Sequence, residues 1–236
     1  MSFGEWQNIC HSFFRKIEMG CHMEKLHRSL ILFAFSCTLI FFVDYSQSDD
    51  KRELHMSNKT QAKALVVVYS YTGNTKAVAD EIIKRFNTDF VIIEAKKYDG
   101  FTGGTTAAID AWKEVITTEI KPETVDLSYY NLIFLGAPIW WYRPAVPLWT
   151  FVEKNDFKDK PVVLFNTFNS KFKPKYIDEF KNLVIKRGGK FHDHIYIRRG
   201  RWFFQLSRVK LLEKFNMLLD AKEDLYNNII SPENNL

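Results

Sequence analysis

The chain predicts an α/β fold in which five parallel strands form one open, doubly wound sheet between two layers of helices. Five short apolar runs rich in β-branched residues alternate with five stretches whose apolar residues recur at helical spacing. The first of these runs, Ala64 to Tyr69, is apolar and β-branched almost without interruption, the pattern of parallel strands covered on both faces. Most connections between them are short, as expected for alternating strands and helices in a single sheet.

Ala64-Leu65-Val66-Val67-Val68-Tyr69 predicts the first strand, and Val78, Ile82 and Phe86, with Ala79 and Ile83 beside them, predict the helix that follows. Phe90 to Glu94 predicts the second strand, followed by a loop containing Gly100, Gly103 and Gly104. A helix then presents Ala108, Ala111, Trp112 and Val115 on one face. Asn131 to Leu135 predicts the third strand, which leads into Gly136-Ala137-Pro138-Ile139-Trp140-Trp141-Tyr142 and a short helix over Ala145 to Lys154. Pro161 to Phe165 predicts the fourth strand. The next helix, with Ile177, Phe180 and Val184, stops at the glycine pair Gly188-Gly189. Lys190 to Ile197 predicts the fifth strand, and a long helix carrying Leu212, Phe215 and Leu219 follows it.

Between the first strand and the first helix lies Ser70-Tyr71-Thr72-Gly73-Asn74-Thr75. A tight turn from strand into helix points unpaired N–H groups and the positive end of the helix dipole at whatever occupies it, so an anion is favoured there. Hydroxyls at Ser70, Thr72 and Thr75 add donors, and Gly73 lets the backbone approach closely. With one glycine and no lysine, the loop is neither a Walker A loop nor a dinucleotide fingerprint. It suits a single terminal phosphate monoester. The pattern S-x-T-G-N-T after a first hydrophobic strand resembles the phosphate loop of the flavodoxin family, which binds FMN. The resemblance spans about Ala64 to Ile197 and implies the flavodoxin-like strand order 2-1-3-4-5. In that order the loops after strands one, three and four line one crevice at the topological switch point.

Those loops supply the candidate cofactor-binding residues. Ser70, Tyr71, Thr72, Gly73, Asn74 and Thr75 would cradle the phosphate. Pro138, Ile139, Trp140, Trp141 and Tyr142 form an aromatic-rich segment that would lie against a flat isoalloxazine ring, as the loop after the third strand does in the family. Thr167, Phe168 and Asn169 stand where the family places the other side of its flavin site; a plain polar turn is the alternative. His192 and His194 share a strand face, but no further ligand set accompanies them, so no metal is expected. Arg198, Arg199 and Arg201 surround Gly200 and read as a solvated basic turn, with a cofactor phosphate or an acidic partner as the alternative. No side chain stands out as a catalytic acid or base.

The 236 residues allow one or two domains with a sizeable core, and all three cysteines, Cys10, Cys21 and Cys37, precede Ala64. The remainder therefore holds no thiol nucleophile, disulfide or cysteine metal site. Residues 1–28 form a basic extension, 29–43 a hydrophobic segment and 44–63 a polar linker, ahead of a domain over 64–236. As a helix, Ser29 to Val43 would span about 22 Å, short for a bilayer core of about 30 Å. With Lys25 and Arg28 before it and Ser46-Gln47-Ser48 after it, the segment reads as a signal or a short membrane anchor, hence membrane association or export. Initiation at Met56 is the alternative and would make the protein cytoplasmic.

From residue 64 onward there are 25 basic and 21 acidic residues, whereas the resemblance implies an acidic shuttle docking on basic partners. The leading expectation is an FMN-binding redox protein that mediates electron transfer between an unidentified donor and acceptor. The alternatives are an FMN-dependent NAD(P)H oxidoreductase acting on a quinone or another small acceptor, and a flavin-free, membrane-tethered binding module. A nucleic-acid partner is not expected.

Overall fold

The computed structural model describes residues 64–231; residues 1–63, with the extension, the hydrophobic segment and the linker, and residues 232–236 lie outside the described residues. The chain order is β1 (Ala64–Val68), α1 (Asn74–Phe86), β2 (Asp89–Ile92), α2 (Gly103–Trp112), β3 (Leu132–Trp140), β4 (Arg143–Pro144), α3 (Val146–Lys154), β5 (Pro161–Phe168), α4 (Pro174–Lys186), β6 (Lys190–Arg198), α5 (Arg208–Asp220) and α6 (Glu223–Ile230). The parallel sheet has the order β2-β1-β3-β5-β6, and β4 pairs antiparallel with the end of β3. Leaving out the two-residue β4, this is the order 2-1-3-4-5.

Burial on both faces explains the apolar runs. In β1, Leu65 and Val67 face one core while Ala64, Val66 and Val68 face the other. In β3, Ile133 and Leu135 join the first core and Leu132 and Phe134 the second; Val162 and Leu164 of β5 oppose Val163 and Phe165 in the same way. Helices α3 and α4 close the first core through Leu148, Phe151, Phe180 and Val184. Helices α1, α5 and α6 close the second through Val78, Ile82, Phe215 and Tyr226. Each fully buried Val, Leu or Phe side chain contributes about 1.5–3 kcal/mol, so two such cores hold the central strands rigid beneath the loops at their carboxyl ends. Gly136 makes room for this packing: a Cβ there would come within 2.0 Å of the Phe165 ring on the neighbouring strand.

Several elements depart from expectation. Strand β3 continues through Pro138, Ile139 and Trp140, so the aromatic segment is mostly strand, and its reversal at Trp141 and Tyr142 (φ 44° and 74°) creates β4. Strand β5 runs on through Thr167 and Phe168. Helix α2 starts at Gly103 and ends before Val115; it buries Ala107, Asp110 and Ala111, and leaves Ala108 and Trp112 exposed. Gly103 packs so closely that a Cβ would lie 1.8 Å from the Tyr98 carbonyl oxygen, and Asp110 on the same face accepts from the Tyr98 hydroxyl, so this face packs inward in place of the one that apolar spacing predicts.

The closing helix is two helices, α5 and α6. Between them Lys222 pairs with Asp193 of β6, and the Tyr226 hydroxyl donates to the same carboxylate at 2.8 Å, turning the chain back onto the sheet edge. Among the described residues, no helix is long and apolar enough to cross a membrane.

Candidate functional site

The Ser70 to Thr75 turn lies at the carboxyl end of β1 and opens α1. Gly73 is its N-cap, at φ 77°. The first backbone bond of the helix runs from the Ala77 N–H to the Gly73 carbonyl at 3.0 Å, and the Lys76 N–H is taken by the Ser70 hydroxyl at 3.1 Å. The N–H groups of Gly73, Asn74 and Thr75 meet no protein acceptor among the described residues. Asn74 donates through Nδ2 to the Thr72 hydroxyl at 2.9 Å, while its buried Oδ1 receives nothing. Buried polar atoms are satisfied as a rule, so an orphan acceptor beside three open donors marks a site shaped for something other than the chain itself.

Thr75 ties this turn to β5. Its hydroxyl lies 2.8 Å from that of Thr167, and both residues are buried. Pro138 of β3 is the sheet partner of Thr167, so the three predicted loops meet at neighbouring strand ends.

Trp140 sits at the centre of an aromatic group. The rings of Tyr69, Tyr71 and Tyr98 meet it nearly edge to face, at 5.4, 6.0 and 5.1 Å. Tyr98 donates to Asp110 at 2.9 Å, and burial together with that bond pushes its phenol pKa up; burial does the same for Tyr69. Both phenols stay neutral, and Tyr98 is held as a donor. Tyr71 and Trp141 are 40% and 44% exposed and present aromatic surface outward beside the phosphate turn and the β3–β4 reversal. Tyr142 packs on Trp141, and Lys173 N–H donates to its carbonyl at 3.0 Å, linking the reversal to the start of α4.

Beyond Thr167 the segment diverges. Phe168 turns to Phe172 and Tyr196 in a second aromatic group, and Asn169 is exposed, its carbonyl accepting from Arg198 Nε at 3.5 Å. The structure therefore brings Ser70 to Thr75, Pro138, Trp140 and Thr167 together, while the ring contacts of Phe168 and the hydrogen bond of Asn169 run to β6 and its neighbours rather than to the phosphate turn. The two histidines also part company. A bulge opposite Val162 and Val163 displaces exposed His192, whereas His194 is bonded through Nε2 to Asn166 Oδ1 at 2.9 Å. Asn166 Nδ2 donates to the Ala137 carbonyl at 2.7 Å, so its Oδ1 accepts and His194 donates. Burial lowers the His194 pKa to about 4, against a smaller opposing pull from Asp193, and keeps the ring neutral.

The family model described as flavodoxin matches residues 63–183, just over half of the chain. The chain belongs to the flavodoxin family. Solved structures similar to this flavodoxin-family chain include one from Bacteroides uniformis ATCC 8492 assigned as a flavoprotein, at 21% identity over 66% of this chain and 99% of that one, with a TM-score of 0.53. A flavoprotein of Lactobacillus acidophilus NCFM, solved in complex with FMN, is 21% identical over 57% of this chain and 93% of its own, with a TM-score of 0.49. No curated protein matches the chain.

Three features of this flavodoxin-family chain at or near the candidate site escaped sequence reasoning. Tyr98 lies in a one-turn 3₁₀ helix, Lys96–Tyr98, with no periodic signal to place it under Trp140. Arg143 is buried, its Nε and one terminal nitrogen without hydrogen-bond partners, and its guanidinium lies over the rings of Trp149 and Tyr176 at 4.6 and 5.6 Å. Burial lowers its pKa, and the charge of Glu114, which accepts from the Tyr176 hydroxyl at 2.7 Å, opposes that. Arg208, the first residue of α5, reaches the phosphate turn: its terminal nitrogen is 3.4 Å from the point where a Gly73 Cβ would stand. No local pattern around residue 208 announces this, because the distance is created by helix packing.

Proposed function

We propose that this flavodoxin-family chain holds FMN without a covalent bond and serves in electron transfer. The observation that supports this most is the open first turn of α1, where free N–H groups, a left-handed Gly73 and the helix dipole converge on a space suited to one phosphate monoester. The residues present fit the group. Ser70 and Thr72 bring hydroxyls, Gly73 to Thr75 bring backbone donors, and the orphan Asn74 Oδ1 is an acceptor that a ribityl hydroxyl can satisfy.

When bound, FMN would supply the one- or two-electron chemistry, and the protein's part is binding, orientation and access. Tyr71, Trp140 and Trp141 offer aromatic surface to a flat ring beside the turn. Thr167 holds Thr75 in register with the sheet through their buried hydroxyl pair. The rigid strand ends fix the distance between the phosphate turn and the aromatic group, so little ordering remains to be done on binding. The positive balance of the domain supports an acidic redox partner.

The test is the visible absorption spectrum of the purified full chain, with identification of the cofactor released on denaturation. Released FMN, or saturable uptake of added FMN with quenching of its fluorescence, is expected; the absence of both release and uptake overturns the proposal. Steady-state NAD(P)H oxidation with a quinone separates the two redox readings, since turnover above that of free FMN would make the protein a reductase.

A further inference from the structure

The phosphate turn contains no basic residue, yet the fold delivers one from far along the chain. Arg208 reaches Gly73. Asn216 Nδ2 donates to Glu81 Oε2 at 2.8 Å, and Arg85 pairs with Asp220. All three pairings join residues 135 apart in the sequence, so α5 runs parallel to α1 and in register with it for more than three turns. Buried Leu211, Phe215 and Leu219 of α5 share a core with Val78, Ile82 and Phe86 of α1, which holds that register from beneath. Arg85 also binds Glu223 of α6 at 2.9 Å and pins the far end.

Parallel packing brings two helix N-termini to the same end of the domain. Ser207 caps α5, its hydroxyl accepting from the Lys210 N–H at 3.3 Å. Arg208 is exposed and has no ion-pair or hydrogen-bond partner among the described residues. An unpaired guanidinium that reaches Gly73, the N-cap of a turn with open N–H groups and a buried, unpartnered Asn74 Oδ1, is a charge placed for an anion.

We infer that Arg208 is a binding residue for the phosphate group in the Ser70 to Thr75 turn, supplying the positive charge that the turn lacks. The inference rests on the FMN reading above and deepens it: Arg208 makes the site discriminate phosphorylated flavin from riboflavin by charge as well as by hydrogen bonds. A charge-assisted contact of this kind, partly open to water, is worth about tenfold in affinity. It is weakened by salt, because exposed charges are screened over about 10 Å at 0.1 M ionic strength.

The test compares FMN and riboflavin binding by flavin fluorescence quenching in the full-length wild type, Arg208→Gln, Arg208→Lys and Lys210→Gln, at two salt concentrations. The expected result is that Arg208→Gln raises the FMN Kd about tenfold, flattens its salt dependence and leaves the riboflavin Kd within twofold. Arg208→Lys recovers part of the loss. Lys210→Gln removes the same net charge from the same helix and stays within twofold for both ligands. An unchanged FMN Kd in Arg208→Gln, or equal losses for FMN and riboflavin, overturns the role of Arg208 while leaving FMN binding intact. Absence of FMN uptake by the wild type overturns the FMN reading itself. Thermal melts of the four apoproteins accompany the titrations, and because residue 208 is exposed they are expected to coincide.

Discussion

The buried hydroxyl pair of Thr75 and Thr167 makes a quantitative prediction about how the phosphate turn is held. The two oxygens lie 2.8 Å apart in residues that are 1% and 4% exposed, so neither hydroxyl can turn to solvent once its partner is gone. Replacing one by the nearly isosteric valine removes a bond of about 1 kcal/mol net and strands the other hydroxyl, for a total cost of about 1–3 kcal/mol. In a domain of this size that lowers Tm by about 2–4 °C per kcal/mol. Replacing both strands nothing, so Thr75→Val/Thr167→Val is expected to cost less than the sum of the singles, with a coupling energy of at least about 1 kcal/mol.

The pair also has a consequence for binding. A hydroxyl donates once and accepts as well, so donation from Thr167 to Thr75 would leave the Thr75 proton free for a phosphate oxygen. Thr167→Val is therefore expected to weaken FMN binding severalfold although Thr167 lies on β5, outside the turn. Urea denaturation of the four apoproteins and FMN titration of each provide the measurements. Additive stability changes, or Thr167→Val with wild-type stability and affinity, would refute the reasoning.

Two further predictions concern buried groups around the site. Arg143 is buried with two guanidinium nitrogens unpartnered, so Arg143→Met, which keeps the length and apolar bulk, is expected to hold stability or raise it by about 1 kcal/mol; a loss above about 2 kcal/mol in urea denaturation would show that the charge is paired in solution. His194 has its folded pKa depressed to about 4 against an ordinary 6.5, so the unfolded chain binds the proton more readily. Its contribution is complete above about pH 6.5 and is lost as pH falls from there to about 4, an order of 3 kcal/mol at about 1.36 kcal/mol per unit. Asp193, which burial tends to raise but Lys222 and Tyr226 hold below its ordinary pKa, adds acid sensitivity at lower pH, and His194→Gln should flatten the slope of stability between pH 6.5 and 4 alone.

Much of the architecture was legible because the sheet is covered on both faces. Apolar runs such as Leu65 to Val68 need no partner to be read as buried strand, and the cores confirm why: alternate residues serve opposite layers. The reading went wrong where close packing overrode periodicity. Gly103 sits against the Tyr98 carbonyl and Asp110 bonds the Tyr98 hydroxyl, and in α2 Asp110, not Trp112, faces inward. Trp141 and Tyr142 take positive φ, which neither residue type prefers, and thereby extend β3 into a hairpin that aromatic composition does not announce.

The sequence by itself determined the strand and helix succession, the hydroxyl-rich turn at Ser70 to Thr75 and the aromatic density near Trp140, because these depend on neighbours within a few residues. Tertiary structure alone decided that Thr75 meets Thr167, that Tyr98 lies against Trp140, and that Arg208 stands at Gly73. These are separations of 92, 42 and 135 residues. Their physical origin is the register of one packed element on another, which many distributed side chains set together and no single local pattern records.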